Sequence, residues 1–377
     1  MNKEAKKYSK HHSFSTFFSS LGVDAGIQKD RTVRVLTSWL EQNQCSVRSK
    51  ALESLNKNLD DFRITQFIAD ELSLLDDKEL CRYIYHRYRY DVYPKERILD
   101  DFPPYLQIEP SSSCNYRCIF CYQSDETFTK KSAGYMGSMT FELFKEIVDQ
   151  SAGKVEFASI ASRGEPLIAR DIDKMLEYCQ GKFLGFKLNT NASLLNEKKI
   201  HGILSGGIRT VVFSADAAND EDYANFRVNG SLQRVLKNIR LFNEIKEKHY
   251  SDLKLITRVS GVFVDEKKQS LNEMIGVWGD LVDQVSFVKY NPWENVYDSP
   301  VSEVTAPCSD LWRRMFIWFD GKVNPCDTDY KSHLCVGNVT ENSISDLWKS
   351  QAYSELRENH VNGSRGDQEP CRRCVVI

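Results

Sequence analysis

Three cysteines stand close together in the first third of the chain, in the segment Cys114-Asn-Tyr-Arg-Cys118-Ile-Phe-Cys121. Three thiolates on one short loop suit an iron–sulfur cubane, which then has one iron open for another ligand. A structural zinc ion takes four ligands, and no fourth cysteine or histidine lies nearby in the sequence. Zinc completed by a distant residue is the alternative interpretation. The loop therefore predicts a 4Fe–4S cluster that binds a further molecule.

A second set of cysteines lies toward the C-terminus. It comprises Cys308, Cys326, Cys371 and Cys374. The first two are joined by a segment with a central Asp-Gly pair that predicts a β-hairpin, and the last two form a CxxC. Four thiolates arranged in this way hold either zinc or an iron–sulfur cluster. Cys335 lies between them and is a ligand only if one of the four is not.

Composition narrows the class of protein. Seven of the eleven cysteines fall into these two groups and four are scattered. The grouping indicates metal binding in a reducing compartment, and we expect a cytoplasmic protein. The formal net charge of −3 and the pI of about 6.2 give no basic surface for nucleic acid or anionic membrane. The N-terminus lacks the apolar stretch of a secretory signal, and no apolar run is long enough to span a bilayer.

The elements that position these cysteines follow a regular alternation after residue 104. Six β-rich runs, at residues 105–110, 154–160, 183–190, 208–215, 253–264 and 285–290, are separated by amphipathic helical segments. This predicts an α/β fold, a partial (β/α)6 TIM-like barrel over residues 104–295. In such barrels the active site lies on the loops that follow the carboxyl ends of the strands.

Two flanking regions complete the predicted organisation. Helical spacing of apolar residues predicts a helical accessory region over residues 1–100, with three or four short helices. Pro94 and the pair Pro103-Pro104 are expected to end this pattern and mark a linker. Residues 305–377 are predicted to form a small domain of a hairpin plus a helix, the helix lying around Ile344–Arg357.

Chemical motifs follow the first four predicted strands in order. The cysteine loop follows the first strand, with Phe120 before its last cysteine, and Ser162-Arg163-Gly164-Glu165-Pro166 follows the second. Asn189-Thr190-Asn191-Ala192 ends the third, and Ser214-Ala215-Asp216 ends the fourth. This order resembles the radical S-adenosylmethionine superfamily, because chance matches would not respect strand order.

The resemblance implies roles for these residues. The three cysteines would hold the cluster that binds S-adenosylmethionine, Phe120 would pack by the adenine, and Gly164 with Glu165 would receive the amino group. Asn191 would correspond to the asparagine of the Thr-Asn-Gly segment that follows the third strand in the family. Ser214 and Arg227 would contact the ribose and the carboxylate, with Arg234 and Arg258 as competitors. Arg163 stands where the family has glycine, and Ala192 also replaces a family glycine.

The C-terminal cysteines resemble the SPASM/twitch extension of that superfamily. The sequence ends at Ile377, three residues after the CxxC, so we expect the shorter twitch form. The resemblance implies one auxiliary 4Fe–4S cluster, fully ligated by the four cysteines, that carries electrons and does not anchor substrate.

The resemblance also implies a reaction. An electron from a flavodoxin- or ferredoxin-type donor would cleave S-adenosylmethionine, and the 5′-deoxyadenosyl radical would take hydrogen from a substrate. The leading prediction is oxidation or epimerisation of a sugar- or aminocyclitol-like small molecule. Candidate side chains facing that substrate are Asp327, Asp329, Lys289 and Tyr290, the aspartates as bases. The alternatives are crosslinking of a ribosomal peptide, through thioether or carbon–carbon bonds, and a non-enzymatic zinc-binding scaffold.

Overall fold

Four helices form the N-terminal layer in the part of the chain that the structure describes. This computed structural model describes residues 20–265, 269–290 and 294–377, without the side chain of Lys289. The helices are α1 (Ala25–Gln42), α2 (Ser46–Lys57), α3 (Gln66–Ser73) and α4 (Asp77–Glu96). Asp24 caps α1, and Asp76 with Glu79 forms a capping box at the start of α4. Their shared core includes Leu36, Leu55, Leu72, Leu80 and Ile84.

Pro94 does not end the N-terminal helical pattern, and that prediction is wrong. Helix α4 continues through Pro94 to Glu96. The side chains just before it, Tyr90, Val92 and Tyr93, are buried against neighbouring elements. Burial of these side chains outweighs the single helical hydrogen bond that proline removes near the end of the helix.

A nine-stranded sheet forms the centre of the molecule, with a separate two-stranded ladder beside it. The strands are β1 (Tyr105–Ile108), β2 (Arg117–Cys118), β3 (Phe157–Ile160), β4 (Gly185–Thr190), β5 (Thr210–Ser214), β6 (Arg227–Val228), β7 (Ile256–Phe263), β8 (Gln284–Lys289), β9 (Arg314–Ile317), β10 (Lys322–Asn324) and β11 (Gly337–Asn338). The large sheet has the order β11-β10-β9-β1-β3-β4-β5-β7-β8. Strands β1, β3, β4, β5, β7 and β8 are parallel to one another, which confirms the predicted α/β fold of repeated strand–helix units.

Ten further helices follow the N-terminal layer in the described residues. They are α5 (Glu126–Thr129), α6 (Phe141–Ser151), α7 (Ile172–Tyr178), α8 (Glu197–Ser205), α9 (Asp220–Phe226), α10 (Leu232–His249), α11 (Leu271–Trp278), α12 (Asp310–Arg313), α13 (Ile344–Trp348) and α14 (Gln351–Val361). The apolar faces of α6, α8 and α10 pack on the strands in one continuous core. Among the described helices, none has the length and apolar content needed to cross a bilayer.

The C-terminal segment continues the central sheet. Strand β9 pairs with β1 in parallel, and β10 returns antiparallel to β9 through a turn at Gly321, whose φ is +83°. This confirms the predicted hairpin. The single helix predicted around residues 344–357 is wrong: Ser350 caps a second helix, so α13 and α14 are separate. The domain boundaries predicted for residues 104–295 and 305–377 stay predictions. Strand β9 of the C-terminal segment forms hydrogen bonds with the core strand β1.

Candidate active site

The loop that carries Cys114, Cys118 and Cys121 begins at the carboxyl end of β1. It is tied to a distant part of the chain by the β2–β6 ladder, in which Cys118 stands opposite Arg227. Burial, the Glu165 carboxylate and Cys118 together raise the pKa of Cys114 to about 12. Burial and the other two cysteines likewise raise the pKa of Cys121. The three thiols therefore lie near enough to one another to interact electrostatically.

The donor set fits an iron–sulfur cluster. The described residues include no three His, Cys, Asp or Glu side chains placed to hold a single metal ion. In a cubane each ligand sulfur binds a different iron, so its ligand sulfurs stand further apart than those around one ion. Three thiols close together on one loop supply this kind of ligand set.

Gly164 and Glu165 hold the loop after β3 against the cysteine loop. The Glu165 amide donates to the Ser113 carbonyl at 2.9 Å. A β-carbon on Gly164 would lie 2.4 Å from the backbone oxygens of both Ser111 and Ser113, so only glycine fits at this contact. The buried Glu165 carboxylate accepts from the Thr190 hydroxyl at 2.7 Å. Burial raises the Glu165 pKa, and its hydrogen bonds partly offset this rise.

Replacement of Gly164 by alanine is expected to push these two loops apart. Overpacking of this kind costs about 1–3 kcal/mol, and the shift also moves Glu165. We expect a lower melting temperature and at least about tenfold weaker binding of S-adenosylmethionine, measured by differential scanning fluorimetry and calorimetry. Gly276→Ala is the matched control, because nothing lies within 4 Å of its β-carbon position in α11. Equal affinities in the Gly164→Ala and wild-type chains would contradict this account.

Asn191, at the end of β4, lies beside the cysteine loop. Its amide Nδ2 is 3.9 Å from the Cys114 sulfur and donates to Asn115 Oδ1 at 3.0 Å. Its backbone N–H donates to Glu165 at 2.7 Å, which links the loops after β3 and β4. Ala192 follows with φ of +60°, the left-handed conformation that explains the glycine the family has there.

Arg227 is the arginine that the structure brings to the cysteine loop. Its guanidinium forms a buried ion pair with Asp216 and lies 3.8 Å from the Cys118 sulfur. It also stands 5.7 Å from the centre of the Phe120 ring. Its competitors lie elsewhere: Arg234 is exposed, and Arg258 binds the Gln284 side chain. Ser214 stands at the end of β5, half-buried and paired in register with Ser260.

The position of the Arg163 side chain shows how this chain accommodates an arginine where the family has glycine. Its guanidinium is buried and pairs with Glu109 at the end of β1, with Nε to Oε2 at 2.7 Å. It donates to the Tyr330 carbonyl at 2.9 Å and lies 4.3 Å from the centre of the Trp318 ring. The side chain therefore turns toward the C-terminal segment and joins it to the core.

Polar groups occupy one face of the central sheet. Alternation along the strands and the register between them place Asn189, Ser286 and Asn324 on the same face as Lys187. Within the described residues, Asn189 Oδ1, Ser286 Oγ and both amide atoms of Asn324 are buried without a hydrogen-bond partner. Unsatisfied buried groups of this kind are costly and indicate a site for a polar ligand.

The four C-terminal cysteines also come together. Burial, Asp329 and then Cys371, Cys308 and Cys374 raise the pKa of Cys326, which places all four thiols in one neighbourhood. Buried Arg365 fixes the CxxC turn by donating to the Cys374 and Val376 carbonyls, each at 2.8 Å. Cys335 is exposed and directed to the Gly337 carbonyl.

An aromatic cluster lies between the two cysteine sets. It consists of Tyr122, Phe128, Tyr297 and Tyr330 and packs against both Cys121 and Cys374. Tyr330 stacks on Tyr122 with ring centres 5.0 Å apart, and its hydroxyl donates to Asp125 at 2.8 Å. The two sites are therefore connected through packed side chains.

The predicted substrate-facing residues differ in their surroundings. Asp329 is buried, and its oxygens accept from the Tyr297 hydroxyl at 2.6 Å and from the His333 and Leu334 amides. Burial raises its pKa to about 6. Asp327 is half-buried near Tyr122, whose pKa it helps to raise. Tyr290 is exposed and donates to Glu294, and the Lys289 side chain lies outside the described residues.

Sequence reasoning missed Asp216, Asn115 and Glu109 as site residues. Asp216 could have been identified from the sequence, because it is the last residue of the Ser214-Ala215-Asp216 motif. It is fully buried, and a buried aspartate requires a cationic partner. Glu109 and Asn115 carried no signal of their own, because their partners are distant in the sequence.

Comparison with known families identifies two domains in the chain. Residues 108–253 match the Radical SAM superfamily, and residues 308–375 match the iron–sulfur cluster-binding domain called SPASM. These ranges contain the two cysteine sets.

Individual relatives are more distant. The S-adenosyl-L-methionine-dependent 2-deoxy-scyllo-inosamine dehydrogenase of Niallia circulans is 21% identical over 71% of this chain and 91% of its own length. A GTP 3′,8-cyclase of Clostridium botulinum is 29% identical over 36% of this chain and 42% of its own.

Two solved structures share the fold. BtrN in complex with AdoMet and 2-DOIA has a TM-score of 0.50 and 18% identity, and covers 74% of this chain and 94% of its own. Streptococcus suis SuiB bound to precursor peptide SuiA has a TM-score of 0.51 and 19% identity, and covers 86% of this chain and 83% of its own.

Proposed function

Because the chain belongs to the radical S-adenosylmethionine superfamily and carries a SPASM domain, we propose that it oxidises or epimerises a hydroxyl-rich small molecule of the sugar or aminocyclitol class. The unsatisfied polar groups on one sheet face carry this proposal. Asn189, Ser286 and Asn324 offer hydrogen-bonding atoms that no described protein group meets. Hydroxyl groups of a substrate would satisfy them, because a hydroxyl both donates and accepts.

The likeness to the Niallia circulans dehydrogenase supports the same class of substrate, since that match extends over 91% of the relative. When bound, the three-cysteine cluster and S-adenosylmethionine supply a 5′-deoxyadenosyl radical, and the auxiliary cluster supplies a one-electron acceptor. Oxidation of a secondary alcohol removes a hydrogen atom, an electron and the hydroxyl proton, leaving a ketone. We assign the proton to Asp327, which is half-buried and directly follows Cys326 of the auxiliary cysteine set.

The proposal predicts substrate-dependent formation of 5′-deoxyadenosine under anaerobic conditions with dithionite as reductant. With an aminocyclitol such as 2-deoxy-scyllo-inosamine deuterated at its carbinol carbon, deuterium is expected in the 5′-deoxyadenosine, and mass spectrometry would detect it. Oxidation yields one ketone per 5′-deoxyadenosine, and epimerisation yields an isomer that carries solvent hydrogen. Absence of deuterium transfer across a panel of cyclitols and sugars would overturn the proposal.

Variants of the polar face refine this test. Ser286→Ala and Asn189→Leu are expected to raise KM about tenfold, because each removes a group that binds substrate hydroxyls. Asp327→Asn is expected to lower kcat by about 100-fold at little cost in KM. Ser345→Ala is a control, because Ser345 binds the Asp101 carbonyl on the surface.

Peptide modification is the second candidate. The SuiB structure with a bound precursor peptide overlaps 86% of this chain, more than the 74% overlapped by the BtrN structure. A peptide crosslink removes two hydrogens from the peptide and gives 5′-deoxyadenosine without a ketone. Activity on a precursor peptide and none on cyclitols would select this candidate.

A further inference from the structure

The aromatic cluster between the two cysteine sets is buried. Tyr122 is almost entirely shielded from solvent, and Phe128 and Tyr330 are fully buried. The cluster packs against Cys121 of the first set and against Cys374 of the second. Packed rings therefore join two groups of cluster ligands that lie far apart in the sequence.

The rings are in direct contact with one another. Tyr122 follows Cys121 in the chain, and its ring stacks on that of Tyr330 with centres 5.0 Å apart and planes at 26°. Tyr330 meets Tyr297 edge-on, again with ring centres 5.0 Å apart. The Phe128 ring lies 5.9 Å from that of Tyr122 and 5.2 Å from that of Tyr330. These separations are those of aromatic rings in van der Waals contact, so the connection has no gap.

Hydrogen bonds hold the two stacked rings in place. The Tyr330 hydroxyl donates to the Asp125 carboxylate at 2.8 Å, and the Tyr330 carbonyl accepts from Arg163 at 2.9 Å. The Tyr122 hydroxyl donates to the Ser162 carbonyl at 2.9 Å. Both rings are thereby fixed at both ends, and their stacking does not depend on side-chain packing alone.

We propose that the stacked pair of Tyr122 and Tyr330 is the path by which an electron passes between the auxiliary cluster and the three-cysteine cluster. Electrons tunnel between buried centres faster through closely packed atoms than across a gap. One electron leaves the reduced cluster and enters the oxidised one, while no bond forms or breaks and no proton moves. The tyrosines are not oxidised, because iron–sulfur clusters are weaker oxidants than a tyrosyl radical. The rings are therefore required and the hydroxyl groups are not.

The path has a use in the net oxidation proposed above. In that reaction the three-cysteine cluster gives one electron to S-adenosylmethionine, and the auxiliary cluster receives one from the substrate. An electron that returns through the stacked rings restores both clusters for the next turnover. This use rests on the proposed function, whereas the path itself rests on the presence of two clusters.

Radiolytic reduction of the frozen holoenzyme tests the path in the absence of substrate. Electrons trapped at liquid-nitrogen temperature are distributed between the clusters out of equilibrium, and electron paramagnetic resonance follows their redistribution with time. The signal that changes when S-adenosylmethionine is added identifies the three-cysteine cluster. We expect redistribution to be about tenfold slower in Tyr330→Leu, because the lost ring leaves a gap in the stack. Tyr330→Phe keeps the ring and should lie within about twofold of the wild type.

Tyr178→Leu is the matched control, because it removes a half-buried ring in α7 that contacts Phe141 with centres 5.8 Å apart. Each variant is compared at an iron content of about eight per chain, so that loss of a cluster is not mistaken for slow transfer. If Tyr330→Leu loses its auxiliary cluster, Tyr122→Leu against Tyr122→Phe makes the same comparison on the other ring of the stack.

Three outcomes would overturn the proposal. They are equal rates in the wild type and Tyr330→Leu, equal slowing in Tyr330→Leu and Tyr330→Phe, and equal slowing in Tyr330→Leu and Tyr178→Leu. Since no substrate is present, none of these outcomes bears on the proposed reaction, which the deuterium-transfer experiment tests separately.

Discussion

Replacement of Cys114, Cys118 and Cys121 by alanine is expected to abolish cleavage of S-adenosylmethionine while leaving about four iron atoms in each chain. The wild-type chain should hold about eight, because the two cysteine sets are separate. We expect 5′-deoxyadenosine to fall to background and the remaining iron to be accompanied by an equal amount of sulfide. Iron, sulfide and product are measured after anaerobic purification.

The reciprocal variant completes this experiment. Replacement of Cys308, Cys326, Cys371 and Cys374 by alanine should also leave about four irons but retain cleavage of S-adenosylmethionine. Cys335→Ala should match the wild type, since this exposed cysteine lies apart from the four. Zinc without sulfide in the wild-type chain, or no iron in the first variant, would contradict the assignment of two clusters.

Arg163→Met is expected to destabilise the folded chain by about 3–5 kcal/mol, which corresponds to a fall in melting temperature of roughly 4–6 °C for a chain of this length. The reason is that the fully buried Glu109 would lose its cationic partner and keep the weaker backbone N–H donors of Arg163 and Phe319. The Tyr330 carbonyl would also lose its donor, so the loop after Cys326 would loosen. The melting temperature and the iron content of the purified chain measure both effects.

Two controls separate the ion pair from a general packing defect. The double variant Glu109→Gln/Arg163→Met removes both charges and should recover more than half of the lost stability. Lys57→Ala removes an exposed ion pair with Glu53 and should change stability by less than about 1 kcal/mol. A loss below about 1 kcal/mol in Arg163→Met would show that the buried pair does not hold the two segments together.

Local pattern was enough to predict the elements of the core. Each of the six predicted strands lies within a few residues of the observed β1, β3, β4, β5, β7 and β8. Alternating strand-like and helical runs depend on short-range periodicity, which a single sequence displays. This reasoning failed at two positions. At Pro94 the burial of neighbouring side chains keeps the helix intact, and after residue 344 a cap at Ser350 begins a second helix.

The arginines show the limit of such reasoning. Sequence offered Arg227, Arg234 and Arg258 as candidates for one role, and spacing did not separate them. The β2–β6 ladder brings Arg227 opposite Cys118, whereas Arg258 binds Gln284 on the neighbouring strand β8. Such pairings join residues about a hundred positions apart, so no local pattern records them.

The sequence by itself determined the class of cofactor chemistry, because cysteine spacing and the order of the strand-end motifs are written in the linear chain. The tertiary structure decided three further matters: the direction of Arg163, the polar face beneath the site and the stacked rings between the two cysteine sets. Each depends on side chains from several distant segments that share one buried volume. Burial removes water, and only then do charge and hydrogen-bond pairing decide which of these groups remain available to a ligand.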